Sequence, residues 1–189
     1  MRGGSRKSLR RARLFFPAIL LIAIAIHAAT TVKNNKFTFS FPDLEGRTVT
    51  DADERFKGKV VFVDIWGSWC STCHETLPHL ERIYSKYKEK GLEIVGIAFE
   101  KQGTPQEQLE NLKKFAGERK IRYTVLFGGS VVATRAKLKS VEGFHYYPTG
   151  ILIGRDGVVR HVYGGFNGDS MAEIENRISK LIEEKTEKK

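Results

Sequence analysis

The chain has 189 residues, an ordinary globular mix of 41% apolar and 29% charged residues, and a formal charge of +10. That charge is unevenly placed: Arg2, Arg6, Lys7, Arg10, Arg11 and Arg13 give residues 1–32 a charge of +6, leaving +4 for the rest. Beyond residue 32 the basic residues are interleaved with Glu as on solvated helix faces, which argues against a nucleic-acid partner. Length and composition predict one domain with an extension.

The extension comes first. A basic stretch ending at Arg13 precedes the apolar run Leu14 to Ile26 and then Ala28 and Ala29, the pattern of an export signal with its positive end in the cytoplasm. Leu14 to Val32 is 19 residues, about 28 Å of helix, close to the roughly 30 Å of a hydrocarbon core. Ala23-Ile24-Ala25 has the small-x-small form of a cleavage site but lies inside the apolar run, so residues 1–32 are expected to be a retained signal anchor rather than a cleaved signal peptide. Either way the remaining domain, residues 36–185, is expected on the exoplasmic side, where disulfides persist.

Within that domain the elements read in order. Lys36 to Phe41 alternates apolar and polar residues as a short strand, and Arg47 to Thr50 can form another. Val60 to Trp66 is a nearly continuous apolar run, the mark of a central strand covered on both faces. A helix starts at Ser71; Leu77, Leu80, Ile83, Tyr84 and Tyr87 recur at helical spacing, Pro78 is expected to kink it, and Gly91 stops it. Leu92 to Phe99 is a second buried strand. Thr104-Pro105 caps a helix with Leu109, Leu112 and Phe115 on its apolar face. Tyr123 to Phe127 is a strand and Val131 to Leu138 a short helix. Pro148 opens a strand to Ile153, and Arg155-Asp156-Gly157 turns into a partner from Val158 to Tyr163. A last amphipathic helix carries Met171, Ile174, Ile178, Leu181 and Ile182, with Asp169 or Ser170 as its cap. The order β, α, β, α, β, α, β-hairpin, α predicts an α/β fold, a mixed sheet with helices on both faces.

The chemistry sits between the first two buried elements. The two cysteines of the chain, Cys70 and Cys73, stand three apart in Trp66-Gly67-Ser68-Trp69-Cys70-Ser71-Thr72-Cys73, directly after the central strand. Two thiols at this spacing at the start of a helix can close one small disulfide, and they read as a redox centre. At the helix N-terminus, free amides and the helix dipole favour a Cys70 thiolate, the attacking group. Cys73, one turn on, is then the resolving thiol and needs a proton acceptor. Asp64 is the candidate: it interrupts an apolar strand, and a buried carboxyl has a raised pKa. Trp69 is expected to cover the site. On its own, Pro148 reads as an ordinary strand-entry proline.

Val63-Asp64-Ile65-Trp66-Gly67-Ser68-Trp69-Cys70, with Cys73, resembles the thioredoxin active-site segment, with Asp64 at the place of its buried aspartate. The N-terminal anchor, Phe39 to Gly46, Phe56 to Val61, Pro78, Lys90 to Gly96, and Tyr147 to Gly157 resemble the TlpA/ResA branch of exported thioredoxin-like proteins. The helix and strand between Thr104 and Phe127 match the insertion of that branch and of peroxiredoxins. The resemblance covers nearly all of residues 37–182. It implies a thioredoxin fold, a redox-active Cys70–Cys73 disulfide without metal or cofactor, and a cis bond before Pro148. It implies a substrate groove at Trp69, Tyr147 and Pro148. It also implies a reductant of exported protein disulfides, with apocytochrome c and copper-centre assembly proteins among the family's clients. Recycling then falls to a separate membrane thiol protein. The chain departs from the branch at Thr72, usually Pro, at Thr76, often Glu, and at Asp64, often Asn.

Three rival chemistries share some of these residues. Cys70-Ser71-Thr72-Cys73-His74 fits the c-type haem attachment motif, but Trp69 and the buried strand predict a rigid, closed site. Cys70 and Cys73 with His74 or His79 could offer Cu(I) a metallochaperone site, without a Met-rich loop to support it. A peroxiredoxin would need Thr where Gly67 stands. Zinc lacks a second ligand pair.

Overall fold

The computed structural model describes residues 35–138 and 144–184. Ser40–Pro42 (β1) and Thr48–Thr50 (β2) pair as an antiparallel ribbon. Val60–Trp66 (β3) leads into the helix Ser71–Tyr87 (α1), followed by Leu92–Glu100 (β4), Pro105–Glu118 (α2) and Thr124–Ser130 (β5). The short helix Thr134–Lys137 (α3), the strands Thr149–Ile153 (β6) and Val159–Gly164 (β7), and the helix Met171–Glu183 (α4) complete the order. The main sheet runs β5-β4-β3-β6-β7, with β3, β4 and β5 parallel and β6 and β7 antiparallel to their neighbours. This is the mixed sheet expected from the element order.

All seven residues of β3 are buried, as its unbroken apolar run requires. Successive side chains point to opposite faces, so Phe62, Asp64 and Trp66 look one way and Val61, Val63 and Ile65 the other. The first face is closed by α1, α4 and the Leu112 side of α2. The second is closed mainly by Phe37, Phe39 and Phe41 with the β1–β2 ribbon, Phe56 and Leu138. The expected helical layers on both faces are thus unequal: three helices cover one side, and a phenylalanine-rich ribbon with the short α3 segment covers most of the other.

Several boundaries moved for physical reasons. The alternation from Lys36 holds in burial, yet only Ser40–Pro42 pair as a strand. Before them the Phe39 amide donates to the Asp51 carboxylate, a side chain standing in for a strand partner. β5 runs past Phe127 because Gly128 is absorbed as a bulge and Gly129, at φ 89°, lets pairing resume opposite Phe99. α2 opens as its residues predict, with Thr104 and Glu107 in a reciprocal capping box and Pro105 in the first turn. Ser170 stands at the N-cap of α4, one of the two residues expected there, but its side chain makes no capping bond to the helix. The Asn167 side chain accepts from the Asp169 and Ser170 amides and opens a 3₁₀ turn that runs into the helix, so the capping side chain lies one turn earlier. α1 is unbroken through Pro78, whose ring is exposed, and closes through a 3₁₀ turn at Gly91, φ 97°.

Among the described residues no helix is long and apolar enough to cross a membrane. The segment read as a signal anchor, residues 1–32, lies outside them.

Candidate active site

The site forms where β3 and β4 end, the edge of a parallel sheet at which loops can gather functional groups. β3 stops at Trp66, and Gly67 follows because the chain doubles back tightly there. A Cβ at 67 would lie 2.6 Å from the Phe99 carbonyl oxygen and against the Trp69 indole. That indole instead lies in the vacant space and donates its Nε1–H to Phe99 O at 2.8 Å. Ser68 is held from two sides. Its amide and hydroxyl donate to the buried Glu100 carboxylate at 3.0 and 2.5 Å. Its carbonyl, 2.7 Å from His74 Nε2, accepts from the imidazole tautomer protonated there. The His74 ring stacks on Phe115 of α2, with centroids 4.9 Å apart.

This clamped loop delivers Cys70 to the N-cap of α1. Its Sγ accepts from the Cys73 amide at 3.2 Å, and the two sulfurs are joined in a disulfide. Exposure differs between the partners: Cys70 retains 6% and Cys73 none. A disulfide across the first turn of a helix faces the free amides and positive end of the helix dipole, which favour a thiolate there on reduction. The sulfurs are bonded to each other, and His74 is engaged by Ser68 and Phe115. Among the described residues no cluster of three or more His, Cys, Asp or Glu could hold a metal.

Beside the disulfide, Trp69 packs edge-on against Tyr147 at 5.1 Å, and the Tyr147 hydroxyl pairs with Thr134 Oγ1 at 2.7 Å. Lys101 Nζ sits 3.6 Å over the Trp69 ring. The Tyr147–Pro148 bond is cis, as the resemblance implies, and Pro148 is buried at the start of β6. Trp69 is half-buried, so it borders the site rather than sealing it.

Asp64 occupies the α1 face of β3, fully buried, with Gly96 and Gly150 in register on either side. Neither carboxyl oxygen has a hydrogen-bond partner. Burial alone pushes its pKa up to about 8. The structure therefore brings Cys70, Cys73, Trp69, Tyr147 and Pro148 to one edge and sets Asp64 beneath α1. Sequence reasoning missed Glu100, the His74 contact with Ser68, and Tyr123. A carboxylate ending the apolar run of β4 was the available signal for Glu100. Thr76, where the branch often has Glu, is fully buried and spends its hydroxyl on the Cys73 carbonyl at 2.9 Å.

Fold and site together define a thioredoxin-fold thiol–disulfide oxidoreductase. The chain belongs to the Redoxin family, whose model matches residues 31–178. It is 28% identical over 187 residues to thiol-disulfide oxidoreductase ResA of Bacillus thuringiensis subsp. konkukian, spanning 90% of this chain and 99% of the relative. The ResA of Halalkalibacterium halodurans is 28% identical over 177 residues, 87% of this chain and 93% of the relative. Among solved structures, the thioredoxin domain of a thiol-disulfide oxidoreductase from Bacteroides vulgatus superposes with a TM-score of 0.59 at 27% identity, over 77% of this chain and 93% of that one. A thiol:disulfide interchange protein of the thioredoxin family from Chlorobium tepidum shares the fold, with a TM-score of 0.61 at 24% identity over 78% and 94%.

Proposed function

We propose that this oxidoreductase is tethered by residues 1–32, faces the exoplasmic space, and reduces disulfides of exported proteins, cytochrome c precursors among them. The observation that carries the reading is the asymmetric disulfide, in which Cys70 keeps a little exposure and Cys73 has none. In the reduced protein the Cys70 thiolate attacks a client disulfide, forming a mixed disulfide and releasing one client thiolate. Cys73 passes its proton to Asp64, attacks Cys70 Sγ and expels the second client thiolate. Two electrons have moved to the client, and the Cys70–Cys73 bond is restored. The burial and raised proton affinity of Asp64 suit it to accept that proton near neutrality.

Trp69, Tyr147 and Pro148 line the approach to Cys70, and the exposed Tyr146 extends it as an apolar contact for a client chain. Proline at 148 has no amide hydrogen. The chain holds no second cysteine pair, so a separate membrane dithiol protein must supply the electrons that reduce Cys70–Cys73 again.

The test is a trap. Cys73→Ser should accumulate mixed disulfides between Cys70 and exported proteins, and Cys70→Ser should accumulate none. Equilibration with glutathione should give a potential well below the glutathione couple. Failure to trap any exported client would defeat the assignment of Cys70 as attacking thiol, and a potential above glutathione would make the protein an oxidant. Labelling of Cys70 in intact cells by an impermeant thiol reagent, after reduction, tests the exoplasmic placement.

A further inference from the structure

Glycine at 96 is what opens space beside Asp64. On the α1 face of the sheet, Asp64 of β3 stands in register with Gly96 of β4, and Gly96 with Val125 of β5. A Cβ at 96 would lie 2.7 Å from the Trp66 indole Nε1 and 3.2 Å from Tyr123 Cε2. Trp66, reaching across from β3 two residues beyond Asp64, and Tyr123, just ahead of β5, therefore meet over Gly96, next to the strand position that Asp64 holds. The Trp66 Nε1–H and the Tyr123 hydroxyl are buried and have no hydrogen-bond partner, and the same is true of both Asp64 oxygens. Two donors and one carboxyl, all unpartnered, adjoin a single side-chain gap. Buried polar groups are paired in the great majority of cases, so this set stands out as one prepared for a different protonation state.

The geometry points to Tyr123 and Trp66 as positioning residues for Asp64, the donors that receive its carboxylate in the step where Cys73 gives up its proton. This rests on the proposed role of Asp64 as acceptor. In the mixed disulfide the ionised carboxylate accepts from the Tyr123 O–H and the Trp66 N–H. The Cys73 proton then moves to Asp64, the Cys73 thiolate forms its bond to Cys70 Sγ, and the client thiolate leaves. Now neutral, Asp64 has less need of donors, and the disulfide form is the state in which all of them stand unpaired. On re-reduction the proton returns from Asp64 to the departing Cys73 thiolate. A second sign of proximity is electrostatic: after burial, the Asp64 charge is the next largest influence raising the pKa of the Tyr123 hydroxyl, ahead of Glu81.

Other ionisable groups border this layer. α1 brings Cys73, Glu81 and Tyr84, and β4 brings Glu93, which acts on Tyr84. β7 brings Tyr163 with His161 against it, and α4 adds Glu173 and Arg177, which act on Tyr163. Their titrations are shared by all variants below and cancel in the comparison.

The experiment is single-turnover reduction of insulin by the fully reduced full-length chain, followed from pH 6 to 10. It compares the natural chain, Tyr123→Phe, Asp64→Asn and the double variant. Losing one donor to a buried carboxylate should move the Asp64-dependent inflection upward by about one pH unit in Tyr123→Phe. In the Asp64→Asn background the tyrosine substitution should change nothing, the mark of two groups acting through one another. The oxidised form of Tyr123→Phe should melt no lower than the natural protein, because the hydroxyl has no partner there. An unmoved inflection in Tyr123→Phe, when Asp64→Asn abolishes it, overturns the inference and leaves Asp64 as acceptor. An inflection that survives Asp64→Asn overturns the acceptor reading and this inference with it. A lower melting temperature of oxidised Tyr123→Phe shows a structural hydroxyl and also overturns it.

Discussion

The two faces of the central sheet are built from the same strands and differ in kind. The face toward the β1–β2 ribbon carries Val61, Val63, Ile65, Ile97, Phe99, Leu126 and Ile151, an apolar layer closed by aromatic rings. The face toward α1 interleaves Phe62, Asp64 and Trp66. All the buried polar side-chain atoms without partners among the described residues, from Asp64, Trp66, Tyr123 and Tyr163, belong to this side. Unpaired buried polar groups cost stability, about 1–3 kcal/mol each, whereas a dry apolar layer supplies it. Both faces bury apolar residues that hold the fold together, but only the α1 face also carries the unpaired polar groups, separated from the all-apolar layer by the thickness of a single strand.

The sharpest way to break that contrast is Asp64→Asn. The carboxyl titrates at about 8 in the folded chain against 3.8 when free. Below pH 3.8 both states bind the proton and the burial adds no pH-dependent penalty. As pH rises to 8 the unfolded chain releases it first, so folded stability falls across that window and levels off above it. Between pH 4 and 7 the oxidised natural protein should lose on the order of 4 kcal/mol that the Asn variant keeps. Denaturant unfolding at several pH values measures it, and parallel curves for the two proteins would refute the assignment. The opposite face should behave otherwise. Ile97→Ala, at a fully buried site of the apolar layer, should cost roughly 3 kcal/mol. That cost should be flat with pH, with insulin reduction by the remaining folded molecules unchanged. A variant that lost activity without losing stability would show that the two faces are not separable.

Much of this division was legible in the sequence. The unbroken run Val60–Trp66 announces a strand buried on both sides, and one carboxylate inside it marks the chemical face. The Cys70–Cys73 spacing places the redox centre, and Thr104-Pro105 places the inserted helix. What could not be read is register. Nothing local says that Gly96 and Gly150 flank Asp64, or that Tyr123, 59 positions away from it, leans over the same gap. Glu100 reaches Ser68 across 32 residues for the same reason. Local patterns fell short in two places: the strand expected to end at Phe127 continues through a bulge at Gly128-Gly129, and Asn167 rather than Asp169 or Ser170 supplies the capping side chain, to the turn ahead of α4. In the first, pairing with β4 decided the outcome; in the second, a competing side chain two and three residues upstream did.

The smallest effect concerns how the chemical face is held closed. Glu175 of α4 accepts from Arg82 and Lys86 of α1 at 2.7 and 2.9 Å, clipping together the two helices that cover Asp64. Those hydrogen bonds pull its pKa down to about 2. The stabilisation is therefore complete above the free value of 4.5 and fades as pH falls through 2, the opposite sense to Asp64. Its two partners are 53% exposed, so solvent and salt screen the pair, and Glu175→Gln should cost about 1 kcal/mol at pH 7 in low salt. In 1 M salt the difference should shrink, since the Debye length there is about 3 Å. The redox potential and the Asp64 inflection should stay in place. A shifted inflection in Glu175→Gln would mean that the α1–α4 seam tunes the buried acid, and the functional face would then extend through both helices to the surface.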